Sequence, residues 1–142
     1  MVLGEKLWEG KGKSAGQGSI KSVDMGGVIS EYSWTAQMKG MGRAKGSDLN
    51  INVTAISKMA PKGVPASKDQ GMFMTMTGDM GVLKGYDLMK MAAGKNPQAV
   101  GLWRFMTTSE KLNWMNELIA LVVFEALDPM WMESNITIYE WK

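Results

Sequence analysis

The sequence predicts an all-β fold, an antiparallel barrel of about eight strands, in one domain spanning residues 1–142. Three observations predict it. Apolar and polar residues alternate with a period of two over long stretches, glycine-rich breaks recur about every ten to twenty residues, and only one segment has helical periodicity.

From Val28 the even positions read Val28, Ser30, Tyr32, Trp34, Ala36 and Met38, while the odd ones read Ile29, Glu31, Ser33, Thr35, Gln37 and Lys39. One face is mostly apolar and the other mostly polar, as in a strand with one buried side. Leu49, Ile51, Val53 and Ala55 repeat the pattern against Asn50, Asn52 and Thr54. At ~3.3 Å per residue, a ten-residue strand is ~33 Å long, which suits a barrel or a strongly curved sheet. "DMGG" (24–27), "KGMG" (39–42), "GSD" (46–48), "GDMG" (78–81) and "GKNP" (94–97) separate the apolar runs with residues that tolerate tight hairpins. The predicted strands are 5–14, 16–23, 28–39, 48–58, 71–78, 81–90, 98–107, 118–127 and 134–141, with one longer loop over 60–71. A short helix is predicted near 108–117. Thr107 and Glu110 have capping-box spacing there, Ser109 is an alternative cap, and Leu112, Met115 and Ile119 share a face.

Composition excludes several chemistries. The 142 residues contain no histidine and no cysteine, which removes Ser-His-Asp and Cys-His catalysis, disulfides and the usual structural zinc. No catalytic residue, metal site or cofactor is assigned. Sixteen basic against 14 acidic side chains, scattered along the chain, form no stripe for a nucleic acid. "KGMGRAKG" lacks the Lys-Ser/Thr of a phosphate loop and lies between strands. "MVLGEKLWEGKG" has charges where a secretory signal has an apolar core, and "LIALVVFEAL" (118–127) is about half the ~20 residues of a spanning helix. The expectation is a cytoplasmic protein with no membrane partner.

"GKSAGQ" (12–17), "TTSEKL" (107–112) followed by Asn116, "FE" (124–125), Asp128 and the terminal "EWK" (140–142) together resemble the pattern of a family of small uncharacterised prokaryotic β-barrel proteins. The resemblance implies a barrel that is lipocalin/calycin-like or allene-oxide-cyclase-like in shape, and no activity comes with it. Residues 60–95, Met-rich and longer in loop, depart most from that pattern.

Candidate sites follow from the alternation. In "MFMTMTGDM" (72–80), Met72, Met74, Met76 and Met80 share a face, with successive sulfur-bearing side chains ~6.6 Å apart on a strand. Thioethers suit Cu(I), yet 15 methionines spread through the chain read as adaptable filler or pocket lining. Tyr32, Trp34 and Met38, with Met74 and Met76, are the expected walls of one cavity. Arg104 and Glu125 each sit in an apolar stretch. They are expected to pair across the barrel, or Arg104 clamps a ligand acid, or its guanidinium reaches the rim. Glu125 or Glu31 in an apolar lumen would serve as a proton shuttle. If Trp103 and Phe105 face outward, with Trp114 and Trp131 nearby, they form a patch for a homo-oligomer. The expected function is therefore binding of a small hydrophobic or amphipathic molecule inside the barrel. The alternatives are a cofactor-independent isomerase or cyclase, and a structural homo-oligomeric module.

Overall fold

The alternation folds into antiparallel strands because each can turn one face to a shared lumen. A computed structural model describes residues 3–16 and 18–142, so Gln17 of "GKSAGQ" and position 17 of the predicted second strand lie outside the described residues. The strands are β1 Leu3–Ser14, β2 Ser19–Asp24, β3 Gly27–Gly40, β4 Leu49–Met59, β5 Ala66–Thr75, β6 Met80–Lys90, β7 Gln98–Thr107, β8 Ile119–Ala126 and β9 Glu133–Trp141. From β2 to β9 each strand pairs with the next one in sequence. β1 then closes the ring, pairing with β9 on one side and with the second half of β3 on the other, from Trp8 opposite Gly40 to Ser14 opposite Trp34. β2 pairs only with the first half of β3, so the closed ring comprises eight strands, β1 and β3–β9. Closure leaves the ring without an unpaired edge.

β1 bears two register shifts between Leu3 and Trp8, and consecutive Leu7 and Trp8 both end up buried. A bulge is how a strand turns adjacent side chains to one side. The expected helix is a five-residue 3-10 turn, Asn113–Glu117. Asn116 draws it back onto β7: its side-chain oxygen accepts the Thr107 N–H at 2.8 Å and its amide donates to the Thr107 carbonyl at 3.0 Å. The Thr107 hydroxyl donates to the Met80 carbonyl instead of capping a helix.

The lumen has two unlike halves. At one end Trp8, Leu49, Ile51, Phe73, Leu83 and Phe105 are buried together, and the 3-10 turns Gly42–Ala44 and Asn113–Glu117 add Ala44 and Met115 as a plug. Phe73 and Phe105 meet edge to face at 5.6 Å, and the Trp8 indole N–H donates to the Ser47 carbonyl at 2.8 Å. The other end is hollow. Among the described residues, no helix is long and apolar enough to cross a membrane.

Candidate functional site

Two neighbouring rows of inward side chains form the floor of the hollow half. Strand register places Tyr32, Ala55, Asp69, Gly85, Trp103 and Ala120 side by side in one row. Ser30, Ser57, Ser67, Asp87, Gly101 and Val122 form the next row toward the open end. Small residues make room for large ones. A Cβ at Gly85 would overlap the Trp103 ring, which lies across that position, and the Trp103 Nε1–H donates to Asp69 Oδ2 at 3.0 Å. A Cβ at Gly101 would overlap Asp87 Oδ1, so the carboxyl lies where only glycine leaves space.

Asp69 and Asp87 come from neighbouring rows of this floor and act on each other's protonation, and both are buried, at 4% and 8% exposure. Burial raises Asp69, against the opposing effects of Asp87 and the Trp103 hydrogen bond. Burial first, and then Asp69, push Asp87 up to about 9. Two carboxylates this close do not both ionise near neutrality. The indole donor on Asp69 favours its charged form, so the shared proton resides on Asp87. Tyr32 is pushed up to about 12, by burial first and then by the charge of Asp69, and remains a neutral donor. The Ser67 hydroxyl donates to Asp87 Oδ2 at 3.4 Å, whereas Asp87 Oδ1 is buried with no hydrogen-bond partner in the protein.

Above this floor opens a cavity of about 540 Å³, lined by Tyr32, Trp34, Ser67, Asp87, Ala99 and Phe124, with Lys13 exposed at its rim. Trp34 meets Phe124 edge to face at 5.8 Å and stacks on Trp103 at 5.9 Å. The loop between β8 and β9 covers one side with Met130, Trp131 and Met132. Asp128 holds that loop: its Oδ1 accepts the N–H of Met130 at 2.9 Å and of Met132 at 3.1 Å, and its Oδ2 accepts that of Glu133 at 2.9 Å. Trp131 has φ 56°, a left-handed conformation costly for a bulky side chain, and its Nε1–H is a second buried polar atom without a partner.

Of the residues expected from the sequence, the structure brings Tyr32 and Trp34 to the cavity. Met38 faces the lumen but belongs to the solid half, against the missing side chain of Gly10. Met74, Met76, Arg104 and Glu125 point outward, which corrects their expected place inside. The outward register spares the guanidinium and the carboxylate their desolvation. An Arg104–Glu125 pair is also ruled out. Arg104 lies opposite Ile119 on β8, six residues from Glu125, roughly 20 Å along a strand. Glu31 is outward too, 3.7 Å from Lys21. Trp103 and Phe105 face the lumen, contrary to the outward patch expected of them, and the exposed apolar side chains of this region include Met72, Val82, Leu102 and Met106.

Ser67, Asp69, Asp87 and Trp131 were not expected as site residues. A signal for the aspartates exists in the sequence. On β5 Lys68 shares its face with Met72 and Met74, and on β6 Lys84 and Lys90 share theirs with Tyr86. The lysine-bearing face of a strand is the solvated one, which turns Asp69 and Asp87 inward. Nothing in the sequence marks Trp131.

These features define a class: closed eight-stranded barrels plugged at one end and hollow at the other. Solved structures share the fold. The chain aligns over 100% of both chains with a protein of unknown function from Clostridium acetobutylicum, at TM-score 0.83 and 12% identity. It aligns with a beta-barrel-like protein from Acinetobacter baumannii at TM-score 0.82 and 16% identity, covering 99% of this chain and 96% of the other. An enzyme from Penicillium herquei aligns at TM-score 0.68 and 17% identity, over 98% and 94% of the two chains. No protein-family model matches the sequence, and no curated protein matches it either. The kinship shown is that of a small β-barrel with uncharacterised structural neighbours.

Proposed function

We propose that this protein binds a small apolar or amphipathic molecule in the hollow half of its barrel, with the cytoplasm as the proposed compartment. The cavity carries the reading: about 540 Å³ lies within the ~300–1,000 Å³ of small-molecule sites, and aromatic walls with a few convergent polar groups are the usual lining of such sites. Affinity comes from apolar burial, at ~25 cal/mol per Å². Orientation comes from Asp87 and Ser67, polar side chains that line the cavity at its floor. Native mass spectrometry of the protein taken directly from its cells tests this. The expected result is a mass excess that denaturation removes and that Ala99→Phe, projecting into the cavity, abolishes. A bare natural chain overturns it.

A second reading, a cofactor-independent isomerase or cyclase, is favoured by the Asp69–Asp87 pair, a proton held at the cavity floor. The enzyme from Penicillium herquei gives that reading a precedent in fold alone. Self-association is a separate proposal, supported by the outward Met72, Val82 and Met106, which lie side by side across β5–β7. Light scattering decides it: a multiple of 15.6 kDa supports it and a 15.6 kDa particle overturns it.

A further inference from the structure

We propose that the occupant of the cavity is a protonated amine on an apolar body, its ammonium seated against the Asp69–Asp87 pair and enclosed by the rings of Tyr32, Trp34 and Phe124. The inference rests on the small-molecule reading above and names its ligand class.

Charge is the first argument. The carboxyl pair is buried, yet neither member belongs to an ion pair among the described residues. A buried carboxylate is ordinarily neutralised by a cation, a metal or a proton. Here a proton does it, from within the pair, and a cation arriving through the cavity replaces that proton with a stronger partner. Asp87, nine-tenths buried, lines the cavity, while its Oδ1 is packed over Gly101 and accepts nothing from the protein. The groups that bear on it are Asp69 and Ser67 from β5, Trp103 from β7 and Tyr32 from β3. Lys13, exposed at the rim on β1, is the other charged side chain lining the cavity among the described residues.

The walls are the second argument. Ring faces are electronegative and attract ammonium groups, most strongly where water is excluded. Tyr32, Trp34 and Phe124 supply three rings to the same cavity as Asp87, and Met89 adds a polarizable side chain. A carboxylate ligand meets the opposite conditions, a buried negative pair and the negative faces of the rings.

Three probes of one shape read the proposal by calorimetry: 1-(2-naphthyl)ethylamine, 1-(2-naphthyl)ethanol and 2-naphthoate. The amine is expected to bind about tenfold or more tightly than the alcohol at pH 7.5, and the naphthoate most weakly. Amine binding is expected to release protons, read as a buffer-dependent heat, and to tighten as pH rises toward 9, while alcohol binding stays flat. Asp87→Asn is expected to bring amine and alcohol within about threefold of each other. If that variant does not fold, proton release by the natural chain reads the same coupling. Equal binding of amine and alcohol overturns the proposal and leaves the small-molecule reading standing, and so does a preference for naphthoate, which would move the anchor to Lys13. Failure of all three probes to bind overturns both.

Discussion

Asp87 occupies its place because residue 101 has no side chain, and its protonation ties the stability of the fold to pH. Its ordinary value, 3.8, applies in the unfolded chain, whereas burial and Asp69 hold the folded value near 9. Between those values the folded state keeps a proton that the unfolded state has lost. The contribution of Asp87 is therefore complete below about pH 4, falls as pH rises toward about 9, and is constant above that. The slope is on the order of 1 kcal/mol per pH unit for one such group. Asp87→Asn is expected to remove this slope and to raise the melting temperature relative to the natural chain at pH 8, with little gain at pH 4. Thermal unfolding followed by circular dichroism between pH 4 and 9 reads it, and an unchanged slope in the variant contradicts the assignment. At this scale the sequence was only half legible. Tyr32 and Trp34 could be placed from their shared apolar face. Asp69 was not placed, because "ASKDQG" has the composition of a loop, and the signal from Lys68 can be used only once β5 is known to begin at Ala66.

Element by element, the number and order of strands were readable, since alternation and glycine breaks act locally. Faces were not readable wherever both sides of a strand are apolar. On β7, Val100, Leu102 and Met106 look as inward as Ala99, Trp103 and Phe105, and Arg104 alone marks the solvated side. β5 begins at Ala66, five residues before the predicted start, because Ser67 and Asp69 fill lumen positions that the pattern gives to apolar residues. The loop between β8 and β9 is the element whose behaviour follows most directly from one side chain. Three backbone N–H groups converge on the Asp128 carboxylate and hold it below its usual range, the Glu133 amide contributing most. A depressed value means that the loop gains stability from this group above the ordinary carboxylate range and loses it as pH falls through the lowered one. Asp128→Ala is expected to speed hydrogen exchange at the Met130, Met132 and Glu133 amides and to free Trp131 from its left-handed conformation, leaving exchange in β3–β7 unchanged. Exchange that stays slow at those three amides would show that the loop is held by other contacts.

Across the whole molecule, the two ends of the lumen divide stability from binding. The closed end has rings on rings: Phe105, 1% exposed, touches Trp8 at 5.8 Å, Phe73 at 5.6 Å and Trp103 at 6.4 Å. Phe124, 7% exposed, also meets Trp34 and Trp103, but its other side borders the cavity. Truncating a side chain costs the lost transfer energy and, in addition, the void left behind. At Phe105 the void is new and enclosed by atoms that cannot follow, so Phe105→Ala is expected to cost about 3–5 kcal/mol. At Phe124 part of the space exists already and opens outward, so Phe124→Ala is expected to cost roughly half as much while weakening whatever the cavity holds. Urea unfolding of the two variants measures the contrast. Equal losses, with ligand binding untouched in Phe124→Ala, would mean that the lumen is one continuous core and that the hollow half is no site. The barrel itself was legible because its alternation is repeated over nine strands. Its division into plug and cavity was not, since that depends on register: which glycine faces which tryptophan across a strand pair is fixed only when the ring closes.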